Sequence, residues 1–131
     1  MTKNIVGVVA GLGVWVVVAT VAGFIMRVSW PAYASVASAM TFTLPMMIAR
    51  LSIGAIATIA MGIVTAAIAK SVIARLMPGV LMLVIFIPEH VMLWEKFPVW
   101  YHLAFLLSLV PLTYLGGRFA GWDRPNSSVG A

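Results

Sequence analysis

The hardest constraint on this chain is where its charges are missing. From Ile5 to Met26 there is no ionisable side chain, and Thr20 is the one hydroxyl that interrupts the run. A helix rising ~1.5 Å per residue would carry such a stretch across a hydrocarbon core of about 30 Å. Further apolar runs follow at about 45–69, 78–94 and 98–117. With 63% hydrophobic and 8% charged residues, the chain cannot coat itself for water, since soluble domains carry about 25% charge. Backbone groups in lipid must bond within their own segment or a closed barrel, and runs of this length and continuity select helices. The expectation is an all-α integral membrane bundle of four transmembrane helices, a single domain over 1–131, with a loose polar tail from 118 to 131.

The first run has a competing reading as a signal peptide, because Lys3 precedes it and Ala32-Tyr33-Ala34 resembles a cleavage site. Signal cores are only about 7–15 residues long, so a span is the better reading. Residues 28–44 mix serine and threonine with alanine behind Trp30-Pro31, where Pro31 suits a first helical position. This stretch is read as a short interfacial helix or a helical lead-in to the second span.

The second span carries Arg50, Gly54, Thr58, Gly62, Ala66 and Lys70 at i, i+4 spacing. Lipid offers little reward for hiding apolar surface, so helices associate where small side chains let backbones approach. This stripe is expected to face another helix, with the Thr58 hydroxyl bonding across or back to its own helix. Gly7 and Gly11 of the first span, with Ala19 and Gly23 beyond them, make that span the favoured partner; self-association into a homo-oligomer is the alternative. Pro78 and Pro98 are read as helix starts, while Pro88 and Pro111 fall inside spans, where each removes a backbone bond and favours a kink.

Orientation follows from the cations. Cytoplasmic termini place Lys3, Lys70, Arg75, Arg118 and Arg124 inside and Arg27, Arg50 and Lys96 outside, which satisfies the positive-inside tendency. Trp30, Trp94, Trp100 and Tyr101 then act as outer interface anchors, joined by Tyr33, with Trp122 at the inner surface.

Polar chemistry gathers in one place. The turn from Ile87 to His102 holds two of the three acids, Glu89 and Glu95, and both histidines, His90 and His102. Helix rise puts Arg50 at a similar depth, so Arg50, Glu89, His90 and His102 are expected to share one layer. Ionisable groups below a membrane surface cost a few kcal/mol each and turn toward the bundle interior, a wet cavity or one another. The favoured reading is an Arg50–Glu89 ion pair, with the histidines bonded to nearby backbone or to Glu95. A proton- or ion-coupled relay through the same residues is the second reading. A metal or haem held by His90 and His102 ranks below both, since a lone histidine pair lacks ligand-spaced companions.

Other chemistry finds no support. The chain has no cysteine, one aspartate (Asp123), no phosphate-binding glycine loop, no Gly-x-Ser-x-Gly elbow and no His-Glu-x-x-His. Its net charge of +5 is too scattered for nucleic acid. Trp15 and the methionines are read as packing. No enzyme, cofactor or metal is therefore expected, and the partners expected are the bilayer and either a second copy or the subunits of a membrane complex.

The segment from Phe97 to Arg118, with its Pro98-Val99-Trp100-Tyr101 entrance, mid-helix Pro111 and Leu115-Gly116-Gly117-Arg118 end, resembles the terminal segment of small uncharacterised bacterial four-span inner-membrane proteins. The resemblance covers mainly the last third of the chain. It implies a bacterial inner-membrane location and an all-helical fold, and it assigns no role to any residue. Taken together, these readings describe a multi-pass inner-membrane protein of structural or interaction type, with a small proton- or ion-coupled transporter or channel as the alternative.

Overall fold

A computed structural model describes residues 1–121; Trp122, Asp123, Arg124 and the rest of the expected loose tail lie outside the described residues. All regular structure among the described residues is helical: α1 (Thr2–Ser29), α2 (Pro31–Val36), α3 (Leu44–Ile68), α4 (Val72–Met92), a 3-10 turn (Trp94–Lys96) and α5 (Val99–Phe119). The long helices α1, α3, α4 and α5 are each apolar and long enough to cross a membrane. The all-α four-helix bundle expected from the apolar runs is therefore the fold, with α2 as the short helix at the entrance to the second span.

Two boundaries differ from expectation. Pro78 lies inside α4, because Ser71 supplies a start six residues before the first predicted one, its hydroxyl accepting from Ala74 N at 3.1 Å. Helix α4 runs through both Pro78 and Pro88, and α5 through Pro111, so each proline forgoes one backbone bond without ending its helix. At the other end α5 continues to Phe119, which makes Arg118 helical rather than part of a tail. Pro98 caps α5 from just outside it.

Alternation of direction is fixed by a contact between ends. Asn4 near the start of α1 accepts from Lys70 N at 2.7 Å and Ser71 N at 3.3 Å, so the first turn of α1 closes the α3–α4 connection. This end gathers Lys3, Lys70 and Arg75, and the opposite end gathers Arg27, α2 and the Trp94–Lys96 turn.

Near the Asn4 end, glycines set the spacing between backbones. A Cβ on Gly7 would lie 2.9 Å from Ala69 N, and one on Gly11 would overlap the Thr65 hydroxyl. A Cβ on Gly62 would overlap Thr113 O of α5, and one on Gly116 would overlap Ile59 O of α3. The glycines of the α3 stripe thus face α5 rather than the expected α1, Gly62 against Thr113 and Gly54 against Phe105, while Gly7 and Gly11 of α1 pack on the adjacent Met61, Thr65 and Ala69. Ala66 is buried in the same region. Ala19 and Gly23 do not continue the α1–α3 seam, and a Cβ on Gly23 would meet nothing within 4 Å.

Hydroxyls within the spans are mostly returned to their own helices. Ser52 donates to Ile48 O, Thr58 to Gly54 O and Thr113 to Leu109 O, at 2.7–2.9 Å. Such bonding hides a polar group where no water is at hand. Among the buried polar side-chain atoms of the described residues, Thr65 Oγ1 is the one without a hydrogen-bond partner.

Candidate functional site

Two polar groupings occupy the half of the bundle away from Asn4. The first is built on Arg50, which follows the start of α3 by six residues and so lies ~9 Å along its axis. Side chains on a helix lean toward its N-terminus, and Arg50 reaches that way into aromatic surroundings. Its Nε donates to the Tyr101 hydroxyl at 3.2 Å and its Nη1 to the Tyr33 hydroxyl at 2.6 Å. The Phe42 and Phe97 rings lie 4.7 and 5.8 Å from Cζ. Tyr33 and Tyr101 retain only 2% and 5% exposure, so each phenol is committed to this contact. A guanidinium is suited to such a cage because its edge donates hydrogen bonds while its faces stack on rings.

The second grouping is the histidine pair. His90 Nδ1 and His102 Nδ1 are 2.7 Å apart, and His102 Nε2 is 3.1 Å from Trp94 O. A carbonyl can only accept, so His102 Nε2 carries a proton, and in the tautomer protonated there alone Nδ1 accepts from His90 Nδ1–H. The His102 ring is fully buried, stacked on Trp94 at 4.7 Å between centroids, and His90 stacks on Phe105 at 5.0 Å. These contacts join the end of α4, the 3-10 turn and the first turn of α5.

The acid expected in this layer is not in it. Glu89 is exposed on α4, on the side shared with Ile85, Pro88 and Met92, whereas Met82, Phe86 and His90 face inward. A step of one residue turns a helix by about 100°, and with His90 facing inward that turn carries Glu89 to the exposed side. The expected Arg50–Glu89 pair is replaced by two phenols. Of the two partners expected for the histidines, nearby backbone and Glu95, His102 has the first, at Trp94 O, and Glu95 is exposed in the 3-10 turn. Among the described residues no group of three His, Asp or Glu side chains is placed to hold a metal, and the direct Nδ1–Nδ1 bond leaves no space for an ion between the rings.

The expected aromatic anchors also divide. Trp94 and Trp100 are 46% and 43% exposed, and Trp30 stacks on Tyr33 with centroids 6.0 Å apart. Tyr101 is buried and serves Arg50.

Between these groupings and the middle of the bundle lies a cavity of about 190 Å³. Arg50, Tyr33 and Tyr101 line one end of it, Gly23 and Ala19 belong to its α1 wall, and Trp15 borders the other end. Trp15 is held by a bond from Nε1 to the Thr58 hydroxyl at 3.1 Å and by ring contact with Phe86 at 5.3 Å. Thr58 therefore bonds both ways, accepting from Trp15 across the seam and donating to its own helix. The sequence signal for this site was the lone cation in a span. The phenol partners carried none, lying 17 and 51 residues from Arg50.

Four long apolar helices around a buried Arg–Tyr and His–His layer define a multi-pass membrane protein. Compared with family models, curated proteins and solved structures, the chain matches none.

Proposed function

We propose that this is a multi-pass protein of a bacterial inner membrane, with both termini cytoplasmic, acting as a structural or interaction subunit rather than as a pump or an enzyme. The observation that carries the reading is that the polar layer brings no carboxylate to its histidines or to Arg50, Glu89 and Glu95 both being exposed. Arg50 is held by two phenols, His102 by a backbone carbonyl and His90, while Glu89 points away from them. A relay needs ionisable groups within hydrogen-bond reach in series, and here the carboxylate nearest in sequence to the histidines is turned outward. The cation distribution supports the orientation, and the likeness of the last third to bacterial inner-membrane proteins supports the location.

Proteoliposomes carrying a pH-sensitive dye test the assignment. Wild-type protein is expected to leave an imposed proton gradient unchanged, and Glu89→Gln to have no effect on folding. Proton flux that Glu89→Gln abolishes in folded protein would show that the relay reading is the right one. Orientation is open to direct mapping, because a chain without cysteine accepts single reporter cysteines at Lys3 and Lys96. Only the Lys96 position is expected to react with an impermeant maleimide from the periplasmic side.

A further inference from the structure

We propose that the cavity beside Arg50 binds a single-chain carboxylate amphiphile, its head on the guanidinium and its hydrocarbon chain directed toward Trp15. The first support is unspent bonding capacity. A guanidinium has five N–H donors; Tyr101 takes the one on Nε and Tyr33 one on Nη1, and Nη2 makes no bond to a described residue. The unused donors belong to the two terminal nitrogens, the edge with which arginine grips a carboxylate or phosphate through paired bonds.

The second support is charge. Phenols supply acceptors without a counter-charge, and Glu89 and Glu95 are exposed elsewhere. A cation about two helical turns into a span is costly unless something negative meets it, and an anionic ligand would supply that partner. Protein fills the rest of the cage, since the phenols take one edge and the Phe42 and Phe97 rings lie near Cζ, leaving the cavity as the approach for an anion.

The third support is the shape and lining beyond the cation. Trp15 bonds Thr58, eight residues beyond Arg50 on α3, so the cavity runs for ~12 Å along the helix axis. Its walls over that length are ring faces, Met26, Ile53 and the bare surface of Gly23 and Ala19. A charged end followed by an apolar trough matches a head with one chain. A volume of about 190 Å³ over that length takes the first part of one chain and not two side by side, which favours a single-chain acid over a two-chain phospholipid.

Tryptophan fluorescence tests this on the full chain in neutral-detergent micelles. The probes are dibromostearate, dibromostearyl alcohol as its neutral-headed counterpart, and phosphatidylglycerol brominated on its chains. Dibromostearate is expected to quench saturably at about one per protein, with Trp15→Phe removing most of the saturable component. Arg50→Leu should weaken the apparent affinity by on the order of tenfold or more, the scale of a lost charge-assisted contact. Gly23→Leu should weaken it comparably by filling the trough, and it leaves Arg50 and its phenols untouched, so it reports even where Arg50→Leu fails to fold. Equal quenching by acid and alcohol, or affinity unchanged by Gly23→Leu, overturns the proposal. Tighter binding of the brominated phosphatidylglycerol overturns the choice of a free acid and makes the site one for a membrane lipid. These outcomes are independent of the flux assay, so failure here would leave the subunit reading standing.

Discussion

The two halves of the bundle are held together by different means. Toward the Asn4 end, helices meet backbone to backbone at Gly7, Gly11, Gly62 and Gly116, with no room for a methyl group. Toward the Trp94 end, they are kept apart by aromatic rings and joined through Arg50, His90 and His102, around a cavity. Both arrangements answer the same problem, that lipid gives helices little hydrophobic reason to associate. Close glycine contacts gain dispersion from dense packing but leave no space for anything else. Side-chain bonding across a wider gap tolerates a hollow, and that is where a ligand can be accommodated.

The same chemical change should therefore have opposite results in the two halves. Gly116→Val drives a side chain into Ile59 O and the Gly62 backbone, which cannot yield without separating α3 from α5. Loss of the folded bundle is expected, a cost of about 3 kcal/mol or more. Gly23→Val adds its side chain to open space and should unfold with the wild-type midpoint. Thermal unfolding in detergent, followed by circular dichroism, compares them directly. Equal destabilisation by the two would remove the distinction between the halves.

A smaller effect is expected from the histidine pair. His102→Phe keeps a ring against Trp94 but leaves His90 Nδ1–H and Trp94 O without their partner. Each buried polar group so stranded costs about 1–3 kcal/mol, and the damage should concentrate in one place. Hydrogen exchange is expected to speed up at the end of α4 and the start of α5, with the Gly62–Gly116 contact unaffected. Exchange rising uniformly over all four helices would mean that the pair stabilises the bundle globally rather than locking one connection.

How much of this could be read from the sequence differs between the halves for a physical reason. Glycine spacing along one helix is a local property, so the partnership of α1 with α3 through Gly7 and Gly11 was legible. That the stripe's own glycines meet α5 was not, because i, i+4 spacing defines a face but not which helix covers it, and Gly54 and Gly62 lie against Phe105 and Thr113. In the other half the relevant facts are pairings between distant residues. Arg50 was recognisable as a cation needing a partner, and Glu89 was the acid at matching depth. Depth along an axis says nothing about rotation around it, and the inward positions Met82, Phe86 and His90 leave Glu89 outside. Ser71 is likewise a weaker local signal for a helix start than Pro78-Gly79. That signal failed because Pro78 is buried and packed inside α4, where its missing donor is tolerated.

The smallest expected effect bears on whether the glycine-packed half is already optimal. Thr65 Oγ1 is buried against Gly11 and has no hydrogen-bond partner among the described residues, whereas Thr58 and Thr113 donate to the carbonyl four residues back. A buried hydroxyl without a partner loses its solvation and gains nothing in return. Thr65→Val replaces that oxygen by a methyl of similar size, so the bundle should gain on the order of 1 kcal/mol, provided Gly11 tolerates the slightly larger group. Gly11 is the sensitive neighbour, since even its own Cβ would overlap this position. A raised unfolding midpoint for Thr65→Val would show that α1 and α3 are limited by polarity at their seam. A lowered one would show that contact distance there is already at its minimum, and that the glycine-packed half owes its strength to geometry alone.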